Sequence, residues 1–188
     1  MSDPTVGYCA AAGVARTKGD ATIAPMSEFL ISIQQADFAL GEQVARLRAG
    51  DGRVGAVVSF VGTVRDQHQG EAISSMELEH YPGMTERAIG ERLECARLRF
   101  GLLGARVIHR IGVLQPQDQI VLVAVSAAHR GAAFAGCEYI MDYLKTEAPF
   151  WKKEQTPQGA HWVDARDSDQ VALRKWQIEQ PAGSNCRG

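Results

Sequence analysis

A chain of 188 residues with 45% hydrophobic content and a formal net charge of -2 can bury the core of one domain. That charge argues against a general nucleic-acid or membrane-surface binder, which concentrates lysine and arginine, and no apolar run is long enough to span a bilayer. Cys9, Cys95, Cys137 and Cys186 are scattered without metal-ligand spacing, so no metal and no other cofactor is expected; Cys95 and Cys137 read as inert thiols buried in helices of a cytoplasmic chain.

In chain order, residues 1–25 lack a basic n-region and a periodic pattern and read as a disordered extension, with a single folded domain over 26–178. Phe29–Ile33 is a short strand candidate, and Asp37 offers an N-cap for a helix through Arg48. After the Gly50-Asp51-Gly52 turn, Val54–Val64 is strongly β-prone, and Gln67–Glu71 is a polar loop. Alternation over Ile73–His80 predicts a strand with one wet face, on which Glu77 and Glu79 share a side. Tyr81-Pro82-Gly83 opens a helix to Phe100 with Ile89, Leu93, Ala96 and Phe100 as its buried stripe.

Two strands follow, Ala105–Ile111 and the nearly all-apolar Gln119–Ala127, separated by a turn over Gly112–Asp118. His129-Arg130-Gly131 leads into a helix faced by Phe134, Cys137, Met141 and Leu144, which Pro149 stops. Phe150–Gln155 and His161–Val163 read as short strands, Asp167 or Ser168 caps a last helix through Trp176, and 179–188 is a loose tail. Strands and helices mix without βαβ alternation, so the class is α+β with a mixed, mainly antiparallel sheet.

Three of the five lysines, Lys145, Lys152 and Lys153, fall within nine residues, although the chain elsewhere meets its need for positive charge with arginine. Lysine can give up a proton and act as acid, base or nucleophile, which arginine does not. A solvated helix end is the ordinary alternative. Arg65 lies just past a hydrophobic strand, and His129-Arg130 lies where free backbone N–H groups at a helix start can help hold an anion. With Arg166 these residues make a cationic set suited to a phosphorylated substrate. Taken singly, each has a plain reading: Arg65 paired with Asp66 or Glu71, His129 as a helix-entry residue, Arg166 paired with Asp164 or Asp169. No GxxxxGK[ST], HExxH or GxSxG pattern is present.

The residues Phe60-Val61-Gly62-Thr63-Val64-Arg65-Asp66, Leu78-Glu79-His80-Tyr81-Pro82-Gly83-Met84 and His109-Arg110-Ile111-Gly112 carry a resemblance to a known family. So does the block from Ser126-Ala127-Ala128-His129-Arg130 through Tyr143-Leu144-Lys145-Thr146, Ala148-Pro149-Phe150-Trp151-Lys152-Lys153-Glu154 and Trp162-Val163-Asp164-Ala165-Arg166. In order and spacing, over about residues 27–177, the chain resembles the large, catalytic subunit of molybdopterin synthase.

The resemblance implies an α/β hammerhead-like domain with a small β subdomain. It implies conversion of a cyclic pyranopterin monophosphate into molybdopterin, with two sulfurs taken from the C-terminal Gly-Gly thiocarboxylate of a small ubiquitin-like subunit. A homodimer within a heterotetramer follows. Lys145 and Lys152 become the catalytic groups. Thr63, Val64, Arg65, His129, Arg130, Lys153 and Glu154 join them at the substrate, with Arg166 reaching in from the other protomer. A lysine Schiff-base lyase and a non-catalytic module for a ubiquitin-like protein are the alternatives.

Overall fold

The computed structural model describes residues 28–68, 70–156, 159–162 and 176. The expectations for 1–25, for 179–188 and for the last helix lie outside them, apart from Trp176, which is helical and buried. The first sheet has the order β1-β6-β8-β2, from β1 (Phe29–Gln34), β6 (Leu102–Arg110), β8 (Gln119–Ala127) and β2 (Ala56–Thr63). Only β1 and β6 run parallel, with Phe29 opposite Ala105; β6, β8 and β2 are antiparallel. The second sheet, order β10-β9-β5-β7, is antiparallel throughout and joins β10 (Gly159–Trp162), β9 (Phe150–Thr156), β5 (Ser75–His80) and β7 (Gly112–Leu114).

Side-chain alternation on the first sheet decides where the helices go. Ala105, Val107, Val121, Val123 and Val125 face one way and pack with Ile89, Leu93 and Ala96 of α2 (Met84–Phe100) and Cys137, Ile140 and Leu144 of α3 (Arg130–Thr146). Ile108, Leu122 and Ala124 face the other way and pack with Leu47 of α1 (Leu40–Arg48) and Phe38 just before it. Full burial of each large aliphatic side chain in these layers contributes roughly 1.5–3 kcal/mol. A third cluster, Val64, Met76, Leu78 and Leu114, closes the second sheet against the end of β2. Among the described residues no helix is long and apolar enough to cross a membrane.

The structure departs from the sequence expectations in five places. Asp37 does not cap α1: its Oδ1 accepts from the Phe38 N–H and from Gln119 Nε2, both at 2.8 Å, and Ala39 takes the cap position. The polar loop after Asp66 is a small hairpin, β3 (Gln67–His68) with β4 (Glu71–Ala72), turned at Gly70, whose φ of 88° suits a residue without a Cβ. The Gly112–Asp118 turn begins with β7, a strand of three residues and too short to leave a pattern. Phe134 is 63% exposed; α3 instead approaches the sheet through small residues, and a Cβ on Gly136 would come within 2.8 Å of Leu102. Cys137 is a buried free thiol, its pKa raised to about 11 by burial, but Cys95 is half-buried and disulfide-bonded.

Gly55 leads into β2 and donates its N–H to the Ala127 carbonyl at 3.1 Å. A Cβ built there would lie 2.2 Å from the backbone oxygen of Ala128, which no side-chain rotation relieves. Gly55→Ala is therefore expected to destabilise the fold by roughly 1–3 kcal/mol, the usual cost of forced overpacking. An unchanged urea midpoint would contradict this.

Candidate active site

The antiparallel register of β2 and β8 sorts the candidate residues into two groups. Thr63 stands opposite Gln119 at the start of β8, whereas Ala56 stands opposite Ala127 at its end. Thr63, Val64 and Arg65 thus lie at one end of the sheet, and His129 and Arg130, just past β8, lie at the other, roughly 25 Å away at 3.3 Å per residue. Helix α3 then runs back along β8 and β2 and returns the chain to the first end. Its 17 residues separate Arg130 from Lys145 by roughly 22 Å. Arg65, Lys145 and Lys152 therefore gather at one end of a single chain, without His129 or Arg130.

At the lysine end, Lys145 is exposed in the last turn of α3, a position that also suits a cation by the helix dipole. Three residues link it to β9, whose alternation sends Lys152 and Glu154 to one face and Lys153 to the other. Lys152 Nζ lies 2.6 Å from Oε1 of Glu154, whose side chain is fully buried. A carboxylate taken out of water beside an ammonium holds the ammonium in place. Glu154 is thus the counter-ion of Lys152. Lys153 leans instead toward the Trp162 ring, 5.5 Å from its centroid, and toward Glu77 at 4.0 Å, on the wet face of the second sheet.

Val64 is 2% exposed, and its backbone is spent as well: its N–H donates to Asp118 O and its carbonyl accepts from the Gln117 N–H. It anchors the strand end, while its neighbours Thr63 and Arg65 are exposed and available. His129 is the N-cap residue of α3 and Arg130 its first residue, both exposed, so the free N–H groups of that helix end face solvent beside them. Arg166 lies outside the described residues. Among the described residues no group of three or more His, Cys, Asp and Glu side chains is placed to hold a metal ion.

The sequence reading missed the residues that fix the link between Lys145 and Lys152. Phe150 stacks on His109 with ring centroids 3.7 Å apart and planes at 13°, joining the two sheets. His109 Nδ1 lies 2.8 Å from the Arg110 carbonyl, which only accepts, so Nδ1 carries the proton of a neutral ring. Burial, followed by the hydrogen bond to Arg110, which opposes it, and by the nearby His80, brings its pKa down to about 4. The signal available in the sequence was the placement of His109 at the apolar end of a strand.

This yields a pH expectation with a definite sign. Between about 4 and the ordinary histidine value of 6.5 the unfolded chain binds a proton at His109 that the folded chain refuses. Stability is present above that window and is lost as pH falls through it, by at most about 3 kcal/mol from this group. The unfolding free energy of wild type relative to that of His109→Phe should fall as pH drops from 7 to 4. Parallel curves would remove His109 as the cause.

The family described as MoaE protein matches residues 33–147 of the chain. The chain belongs to the MoaE family. Within it, the chain is 62% identical over 148 residues to the molybdopterin synthase catalytic subunit of Ralstonia nicotianae, covering 79% of this chain and 84% of that one. Among solved structures it is similar to the molybdopterin biosynthesis MoaE protein of Burkholderia ambifaria, with a TM-score of 0.69, 53% identity and coverage of 82% and 100% of the two chains. The MoaE fold also recurs, at 18% identity and a TM-score of 0.60, in a Helicobacter pylori complex of subunits 1 and 2 of molybdopterin-converting factor, over 74% of this chain and 92% of that one.

Proposed function

We propose that this MoaE-family chain is the catalytic subunit of a molybdopterin synthase and acts as a sulfurtransferase. It converts a cyclic pyranopterin monophosphate to molybdopterin, using sulfur delivered as the C-terminal thiocarboxylate of a small ubiquitin-like subunit. The observation that carries this reading is the gathering of Arg65, Lys145 and the Lys152–Glu154 pair at one end of the sheet, in a chain whose relatives are named as catalytic subunits. The ammonium groups there stabilise charge as sulfur attacks and hand protons to the departing oxygens. No nucleophilic cysteine is needed, because the sulfur arrives on the partner.

His129 and Arg130, the other cationic pair, lie at the far end of the same chain. In this reading His129 and Arg130 come from a second copy, whose opposite end meets the lysine end of the first, and Arg166 comes from that second copy too. Two chains then make two sites, each served by one small subunit, in a cytoplasmic heterotetramer. Arg130 binds a phosphate bidentately, and the free N–H groups of the α3 start add to it.

The test is conversion of the pyranopterin monophosphate by the purified chain with the small subunit in its thiocarboxylate and carboxylate forms. Dithiolene product formed only with the thiocarboxylate is expected. Borohydride trapping of the pterin on Lys145 without the carrier would favour a Schiff-base lyase, and carrier binding without turnover a non-catalytic module; either result overturns the reading.

A further inference from the structure

The link between the two lysines is held from one side by α2, through residues that do not reach the reacting groups. Tyr139 and Tyr143 of α3 and Glu147, its C-cap residue, recur at intervals of four and form one stripe facing α2. Arg92 of α2 engages all three: Nη1 donates to Tyr139 Oη at 2.8 Å, Nη2 to a Glu147 carboxylate oxygen at 3.0 Å, and the guanidinium lies over the Tyr143 ring, 4.4 Å from its centroid. Only 11% of the Arg92 side chain is exposed, so this ion pair is worth more than one in open water. Lys145 sits between Tyr143 and Glu147, and fixing both neighbours fixes its backbone.

The same helix grips the next residues. Thr85, fully buried in the first turn of α2, has its hydroxyl 3.2 Å from the Pro149 carbonyl as well as 3.0 Å from that of Tyr81. Ala148 and Glu147 both donate their N–H groups to the Tyr143 carbonyl, closing the end of α3. Between the last turn of α3 and the His109–Phe150 stack, the link has little freedom left.

We propose that Arg92 is a positioning residue of the site: acting through Glu147 and Tyr143, with Thr85 as its second hold, it sets where Lys145 stands relative to Lys152. The proposal rests on the reading of these two lysines as the reacting pair. Reaction rates fall about a hundredfold for misplacements near 1 Å, so loosening the last turn of α3 reaches the rate before it reaches binding.

The experiment measures kcat and KM for pterin conversion by the full chain with thiocarboxylated small subunit, in Arg92→Met, Arg92→Lys, Glu147→Gln and Lys145→Ala. The folded fraction is read by circular dichroism at the assay temperature. For Arg92→Met and Glu147→Gln kcat per folded molecule is expected to drop about tenfold or more with KM within about twofold, and Arg92→Lys, which keeps the cation beside Glu147 but not the fork, to retain more of the rate than Arg92→Met. Arg92→Met and Glu147→Gln with kcat per folded molecule near wild type overturn the proposal, as does an Arg92→Lys no better than Arg92→Met. Loss in Lys145→Ala beside unchanged Arg92→Met sinks the clamp and leaves the assignment of Lys145 intact. The reverse pattern, with Lys145→Ala near wild type, moves the chemistry off Lys145 and overturns the proposal, which has Arg92 act by placing Lys145.

Discussion

Lys145→Ala is expected to lower the rate of molybdopterin formation by about two to four orders of magnitude, the usual worth of a positioned acid or base, while the chain stays folded. The second half of that expectation follows from exposure: Lys145 ends α3 in solvent and no core residue rests on it. Lys152 is a less clean target. Its removal leaves Glu154, fully buried, without the ammonium 2.6 Å away, so Lys152→Ala is expected to lose stability together with rate. Lys152→Arg keeps the charge but not a group that readily gives up a proton, and separates the two effects. Product formation followed in single turnovers with excess thiocarboxylated carrier reads both variants. A wild-type rate in Lys145→Ala removes it from the chemistry.

Mixing two inactive variants is expected to restore activity. If His129 and Arg130 serve the lysines of a second copy, Lys145→Ala and Arg130→Ala fail in the same reaction but carry their lesions at opposite ends. Dissociated and reassembled in equal amounts, half the dimers are mixed, and each mixed dimer holds one undamaged site, so about a quarter of wild-type activity returns. The basis is distance: roughly 22 Å along α3 separates the two residues in one chain, far beyond the reach of any side chain. A mixture as inactive as its components would mean that each chain builds its site alone, and the two-end arrangement would fall.

Much of the architecture was legible because its causes are local. The pattern of α2, with Ile89, Leu93 and Ala96 on one stripe, named the residues that the structure buries. The near-continuous apolar run of β8 marked a central strand, which it is, paired with β6 and β2 and packed by helices on each side. The lysine cluster stood out by composition alone. Phe134 misled because a helical stripe gives a face but not its limits; α3 comes closest to the sheet where its residues are smallest. Asp37 misled because a capping carboxylate can be claimed by partners far along the chain, here Gln119.

What the sequence determined by itself was the set of elements, the α+β class, and the residue types from which a phosphate-binding, proton-moving site can be built, since period, turn chemistry and side-chain chemistry are properties of short stretches. Only the tertiary structure decided which of those residues meet. Strand register put Arg65 with Lys145 and Lys152 and sent His129 and Arg130 to the far end. The alternation of β9 turned Glu154 toward Lys152 and Lys153 away. Arg92, Thr85 and His109 entered only there, because their partners on α3 and β9 lie some 40 to 65 positions along the chain and nothing local announces a contact across that separation.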